Sequence, residues 1–467
     1  MKKIGRRAGI LILAAIGIVA VCVLALRAFE TRGLGERHRP TNMPMRLWIN
    51  AAGQPLAFPD YLVAAKAAIG KYRWVIPGET PEERRSRVEV ISPREWPRRT
   101  GCDSRNSDGV LLIHGLTDSP FLMRELGDFF SRLPRCLLVR SILLPGHASA
   151  PGDMLRMDYE EWIEAARYGI ESFRGEVAAV HVAGFSTGGA LALHWAHNAA
   201  GLGVPIRSLI LFSPAIRPTG KLVRLNVLPH VAFALSRATD LRVWPDKHAD
   251  QDYAKYESFA LNAGYQIYLL DQRLKKSIGK RLDVPVFAAL SRDDETVNSD
   301  DTIRMFLDST SPASRMMLVA RDKPGKADEL LALAAADKSR VWLPPASMDD
   351  KRPGRPAAGL EKVIDFAHTS FVASPDNPHY GRKGDYAECL AYADGGDPRK
   401  YCKCVTPQMT APECAVRTSE EWVYGERHEA SIEKYVLRRL TFNPYFAEMT
   451  HRIEEFMASI DAGKGSR

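Results

Sequence analysis

Residues 177–196 read "VAAVHVAGFSTGGALALHWA", and the centre of this stretch, Gly184-Phe185-Ser186-Thr187-Gly188-Gly189, decides how the chain is understood. The first half is small and β-branched, as in a buried strand, and the second half is an apolar helix. A glycine-rich strand–helix turn would explain the glycines without any chemistry. G-x-S-x-G is by itself a weak pattern, because Gly and Ser are common. Its setting strengthens it. A turn this tight admits only small neighbours and pushes the serine hydroxyl out over the sheet edge. Thr187 then presents its backbone N–H at a helix N-terminus, where it can stabilise an oxyanion.

The same rhythm extends outward. "GVLLIHG", "RCLLVRSILLPGH", "RSLILFSPA" and "VPVFAALSRDD" read as further strands, with "LMRELGDFFSRL" and "MDYEEWIEAARYGIESF" as helices between them. Alternating strands and helices predict an α/β fold around a mostly parallel, doubly wound sheet. Residues 31–107 carry few periodic runs and read as a lead-in, and the sheet domain spans 108–460. Two interruptions stand out within it. Residues 215–282 hold two helical segments, "LNVLPHVAFALSRA" and "YQIYLLDQRLKKSIG", between sheet strands, as a cap would. Residues 321–356 mix a helical "ADELLALAAA" with a proline-rich stretch.

A serine needs a base, and the base needs an orienting acid. With this kind of turn the chain order is Ser, Asp or Glu, then His. After the strand "VPVFAALS" come Asp293, Asp294 and Glu295, and "KVIDFAHTSF" supplies His368 after the last strand. Each residue alone has an ordinary explanation as a turn former, cap or surface histidine; their joint order does not. In "LLIHGLTDSP", Gly115 allows the backbone to turn and Leu116 offers a second N–H to an oxyanion. His114 precedes Ser186 and reads as a support for this loop rather than as the base.

These motifs resemble the bacterial carboxylesterase and monoacylglycerol-lipase branch of the serine α/β-hydrolases. The resemblance rests on His114–Pro120, Leu144–Ala148, Gly184–Gly189, Asp294 with Val297, and "AHTSF" at His368, and covers about residues 105–460. "SPDNPHYG" and "LTFNP" further downstream also resemble related hydrolases. It implies an α/β-hydrolase fold with a helical cap, and a catalytic triad of Ser186, Asp294 and His368. Leu116 and Thr187 would supply the oxyanion donors, and no metal or organic cofactor is implied. Asp294 fits the acid motif better than Asp293. Two departures are visible. Ala148 stands where the family has glycine, and Asp294 lies 74 positions before His368, a distance the 321–356 insertion accounts for. The cysteine-bearing segment 380–418 is not standard for the family and keeps His379 as a rival to His368.

The formal net charge of +8 does not indicate nucleic acid binding. Residues 1–40 carry eight Lys and Arg against two Glu, and no basic stripe with interleaved aromatics follows. That terminus places four cations before an uncharged apolar run, Ala8–Leu26, of 19 residues. At 1.5 Å per residue the run just spans a hydrocarbon core of roughly 30 Å. Residues 1–30 therefore read as a single transmembrane anchor with a cytoplasmic N-terminus and an extracytoplasmic catalytic domain, periplasmic in a bacterium. A cleaved signal peptide is the alternative, but "VLALRAFE" offers no good cleavage site. Outside the run are Cys102, Cys136, Cys389, Cys402, Cys404 and Cys414, an even set that points to disulfides rather than zinc.

The expected activity is hydrolysis of carboxylic esters, with lipid or acylglycerol-like substrates favoured by the membrane setting. An acyltransferase would use the same triad. A non-catalytic envelope protein of this fold is the reading from another class, and it has no chemical reason to keep Ser186, Asp294 and His368 together. Oligomeric state is not legible from the sequence.

Overall fold

The computed structural model describes residues 33–217 except 105, 228–319 except 240–242, 248, 249 and 251, 329–344, 363, 365–386, 389–391, 422–426 and 436–462, with positions 17, 21 and 25. The strands are β1 (Glu95–Trp96), β2 (Asp108–Ile113), β3 (Leu137–Ile142), β4 (Val180–Phe185), β5 (Ile206–Phe212), β6 (Val286–Ser291), β7 (Arg315–Val319) and β8 (Val341–Trp342). They form one sheet in the order β1-β3-β2-β4-β5-β6-β7-β8, parallel throughout except that β1 pairs antiparallel with β3. The parallel sheet expected from the alternating pattern is therefore observed.

Helices cover both faces: α1 (Phe58–Tyr72), α2 (Pro81–Ile91), α3 (Arg124–Arg132), α4 (Tyr159–Glu171), α5 (Thr187–His197), α6 (Leu228–Thr239), α7 (Leu261–Leu274), α8 (Ser299–Ser309), α9 (Glu329–Ala336) and α10 (Phe446–Ala462). Side chains alternate along each strand, so the sheet divides the interior into two cores. Leu111, Ile113, Val182, Leu209, Leu211 and Leu318 face one core with residues of α1, α4, α5, α7 and α8. Val110, Leu112, Phe185, Ile210, Phe212 and Met317 face the other with α2, α3 and α10. Strands buried on both faces read as continuous apolar runs, which is why they were visible in the sequence.

The winding fixes where a site can form. From β2 the chain passes through α3 outward to β3, whereas from β4 it passes through α5 to β5 on the opposite side. The carboxyl ends of β2 and β4 thus flank the point at which the winding reverses, where open α/β sheets hold their ligands.

The stretch before β2 is more ordered than its composition suggests. Trp48, Phe58, Tyr61 and Ala65 are buried in one core and Val88, Ile91 and Trp96 in the other. The charged run "ETPEERRSR" is the capped start of α2. Thr80 Oγ1 accepts from Glu83 N–H at 3.2 Å, the Glu83 carboxylate accepts from Thr80 N–H at 2.8 Å, and Pro81 opens the helix. The side chain of Glu79 is fully buried between Arg73 at 3.0 Å and Arg87 at 2.9 Å. Charge in a stretch that reads only as a lead-in is here part of an internal ion-pair cluster.

Between β5 and β6, the two helical segments expected of the cap are α6 and α7. The strap between these helices is fastened to the loops beneath it. Tyr256 N–H donates to Thr117 O at 2.8 Å, and the Tyr256 hydroxyl accepts from Ser149 N–H at 2.8 Å. Within 321–356 the expected helix is α9, but Val341–Trp342 also adds β8 to the sheet beside β7. So short a strand, two residues long, carries no periodicity to read. A smaller sheet contains β9 (Cys389–Ala391), β10 (Trp422–Gly425) and β11 (Val436–Arg439).

A disulfide joins Cys102 and Cys136, tying the approach to β2 to the approach to β3. Cys402, Cys404 and Cys414 lie outside the described residues, as does Ala8–Leu26 apart from Gly17, Val21 and Ala25. Among the described residues no helix is long and apolar enough to cross a membrane.

Candidate active site

Ser186 sits between β4 and α5 with φ 51° and ψ −113°, a left-handed conformation that costs a residue with a Cβ about 1–3 kcal/mol. Backbone hydrogen bonds hold it there: Ser186 N–H donates to Phe212 O at 2.9 Å, and Ser186 O accepts from Ala190 and Ala215. The flanking glycines are dictated by space. A Cβ on Gly184 would overlap the backbone of Gly188, and one on Gly188 would press into Ile113 O and His114 O. The start of α5 therefore rests directly against the loop that follows β2.

His368 opens a short 3₁₀ turn, His368–Phe371, and its ring faces Ser186. Its Nε2 lies 2.9 Å from Ser186 Oγ and its Nδ1 lies 2.6 Å from Asp294 Oδ2. With Nδ1 donating to the carboxylate, Nε2 is left to accept the serine proton. Asp294 is held in turn, since its Oδ1 accepts from Thr296 N–H at 2.8 Å and Val297 N–H at 2.9 Å. All three residues are buried. Burial disfavours the imidazolium of His368, but the Asp294 carboxylate, its hydrogen bond and the charge of Glu426 outweigh it and hold the base above its ordinary value.

The rival residues have other partners. Asp293 N–H donates to Ser291 Oγ at 2.9 Å, and the backbone N–H of Glu295 donates to Glu426. His379 binds Asp252 through Nε2 at 2.8 Å and Asp385 through Nδ1. Burial opposes its charge, yet the two carboxylates push it up to about 9. His379 thus joins the cap strap to the segment after His368 and has no hydrogen bond to Ser186. His114 is the loop support expected of it. Its Nδ1 donates to Gly115 O at 2.8 Å and its Nε2 accepts from Leu144 N–H at 3.0 Å, so it bridges the loops after β2 and β3.

Thr187 opens α5, so its N–H has no partner within the helix. Leu116 follows Gly115 in the adjoining loop, and the reason for that glycine differs from the expectation. The left-handed residue of the loop is Thr117, with φ 67°, whereas Gly115 is small because a Cβ would come within 2.6 Å of Asp118 Oδ2 and 2.9 Å of Phe185. Ala148, which replaces the family's glycine, has φ 56°. Asp118 was not anticipated. It is buried in the same loop, and burial pushes its carboxyl up to about 7, with Lys255 and His368 opposing and Asp252 adding to the shift.

Glu426 is a further residue of the site with no signature in the sequence. β10 runs beside Val363 through Tyr424, and Gly425 pairs with Arg439 on β11, so the next residue lies between the histidine loop and Arg439. Nothing in "YGERH", 58 positions beyond His368, signals this.

With Ser186, His368 and Asp294 hydrogen-bonded in series at the winding reversal of a parallel sheet, the arrangement can pass the serine proton to an imidazole held by a carboxylate. The chain belongs to the alpha/beta hydrolase family, whose model matches residues 110–348, just over half of the chain. A thermostable monoacylglycerol lipase of Bacillus sp. (strain H-257) is 31% identical over 96 residues, 19% of this chain and 35% of the lipase. Solved structures of similar fold include the Paleococcus ferrophilus monoacylglycerol lipase, 18% identical, covering 49% of this chain and 88% of its own, TM-score 0.36. Another is a soluble variant of Saccharomyces cerevisiae monoglyceride lipase, 16% identical, covering 53% of this chain and 89% of its own, TM-score 0.39.

Proposed function

We propose that the protein hydrolyses carboxylic esters through a Ser186 acyl-enzyme. The observation that carries this reading is the chain of hydrogen bonds from Asp294 through His368 to Ser186 Oγ, 2.6 and 2.9 Å long. His368 Nε2 takes the hydroxyl proton as Oγ attacks the ester carbonyl, and the Asp294 carboxylate faces the resulting imidazolium. The tetrahedral oxygen is received by the N–H groups of Leu116 and Thr187, each worth on the order of 10²–10³ in kcat. The C–O bond to the alcohol breaks, and His368 returns its proton to the departing oxygen. Water then repeats the attack on the acyl-enzyme with His368 as base, releasing the acid and restoring Ser186.

Lipid esters are the proposed substrate class. The name of the Bacillus relative supports this, as does the apolar segment Ala8–Leu26, which would hold the catalytic domain beside a bilayer. The four cations before that segment and the Cys102–Cys136 disulfide support an exported domain. The test of the chemistry is labelling with a fluorophosphonate probe. Wild-type protein is expected to label and Ser186→Ala not to, and folded wild-type protein that takes no label would refute the proposal.

A further inference from the structure

We infer that Glu426 is a positioning residue of the active site: its carboxylate ties the loop carrying the acid to the loop carrying the base, and so keeps His368 aligned between Asp294 and Ser186. The inference rests on the proposed Ser186 chemistry.

The geometry is specific. Glu426 Oε2 accepts from two backbone N–H groups, that of His368 at 3.2 Å and that of Glu295 at 3.2 Å. These belong to the base itself and to the residue after the acid. Oε1 accepts from Thr296 Oγ1 at 3.4 Å and from the Arg439 guanidinium at 2.6 Å. The backbone is pinned as well, since Glu426 N–H donates to Asp365 Oδ1 at 2.6 Å. The side chain is 7% exposed. One buried carboxylate thus joins residues 295 and 296 to residue 368, far apart in the chain.

Two consequences follow for catalysis. The imidazole must hold hydrogen bonds on both nitrogens at once, and small displacements of such a group are costly: a misplacement of about 1 Å can cost roughly 10²-fold. The second is electrostatic. The groups facing His368 are the charged Asp294 from the loop after β6, Glu426 after β10 and Arg439 on β11, and the titratable Asp118 in the loop after β2. Glu426 favours the imidazolium and Arg439 opposes it, so the two pull the base in opposite directions.

That opposition supplies the test. Initial rates on p-nitrophenyl butyrate are measured against pH for the full-length wild type, Glu426→Gln and Arg439→Met, with circular dichroism and thermal melting as folding controls. The acid limb of kcat/KM reports the free-enzyme base. In Glu426→Gln it is expected to move down, with kcat lower by roughly tenfold. In Arg439→Met it is expected to move up. A purely structural role would lower activity in both variants without moving the limb in opposite directions. Superimposable limbs in folded variants overturn the inference. Should Glu426→Gln not fold, the direction of the Arg439→Met limb decides, and no shift or a downward one overturns it. A wild type that neither turns over the ester nor takes the fluorophosphonate overturns the Ser186 reading itself, and this inference with it.

Discussion

Asp294→Asn tests the arrangement most directly, because the structure dictates which way the new amide must point. Asp294 Oδ1 accepts two backbone N–H groups, from Thr296 and Val297, and Oδ2 receives the proton of His368 Nδ1. Asparagine has one oxygen and one NH₂. Placing the NH₂ at the Oδ1 position would set it against two donors in a buried site, a loss of two hydrogen bonds and a repulsion. The oxygen therefore takes the Oδ1 position and the NH₂ faces His368. Nδ1 must then accept, which moves the ring proton to Nε2, the nitrogen 2.9 Å from Ser186 Oγ. The histidine keeps its place but cannot take the serine proton. A wrong tautomer of this kind lowers kcat by about 10⁴, equivalent to roughly 5.5 kcal/mol of barrier at 1.36 kcal/mol per tenfold. The assay is single-turnover hydrolysis of p-nitrophenyl butyrate alongside the rate of fluorophosphonate labelling, with melting temperature as the control for folding. Asp293→Asn serves as the comparison and is expected to retain kcat within a few-fold of wild type, about 10-fold at most. Activity of Asp294→Asn within tenfold of wild type, in folded protein, would refute the reasoning.

Two further outcomes concern stability. Burial raises the Asp118 carboxyl from 3.8 to about 7, so the folded state holds a proton that the unfolded chain releases, and stability falls as pH rises between these values. Asp118→Asn removes that dependence and is expected to be more stable than wild type at pH 8 by as much as about 4 kcal/mol, with little gain at acid pH; urea unfolding at both pH values checks it, and an equal difference at the two sinks it. Cys102–Cys136 closes a loop with a sequence separation of 34, for which chain entropy gives about 4 kcal/mol of stabilisation. Cys102→Ser with Cys136→Ser is expected to show that loss by urea unfolding, and an unchanged midpoint counts against it.

The parts of this molecule legible in its sequence are those built from neighbours along the chain. The elbow at Ser186 requires small residues at 184, 188 and 189, all within a few positions, and the buried strands declare themselves as apolar runs. Asp294 and His368 stand out in the sequence because each is expected to follow a strand in a fixed order. What escaped was determined across the fold. Glu79 reads as one more charge in an acidic–basic cluster until Arg73 and Arg87 are folded around it. His379 was a credible base until Asp252, 127 positions earlier, was placed against its Nε2. Gly115 is expected for its backbone freedom and is needed for its missing side chain, a distinction that only the folded positions of Asp118 and Phe185 reveal. Glu426 has no local signature, because its partners are backbone N–H groups that every residue possesses.

The place of Glu426 in the chain bears on when the protein becomes competent during synthesis. Domains fold as the ribosome delivers them, N-terminal parts first. A chain extended only to His368 already contains Ser186, Asp294 and His368, the proposed nucleophile, acid and base. It lacks the carboxylate that binds the base's own N–H and the guanidinium, at Arg439, that anchors that carboxylate. On the proposed chemistry, the alignment of His368 thus awaits Glu426 and Arg439, which are synthesised after Ser186, Asp294 and His368. A product cut between His368 and Glu426 would carry Ser186 without the proposed tie on its base.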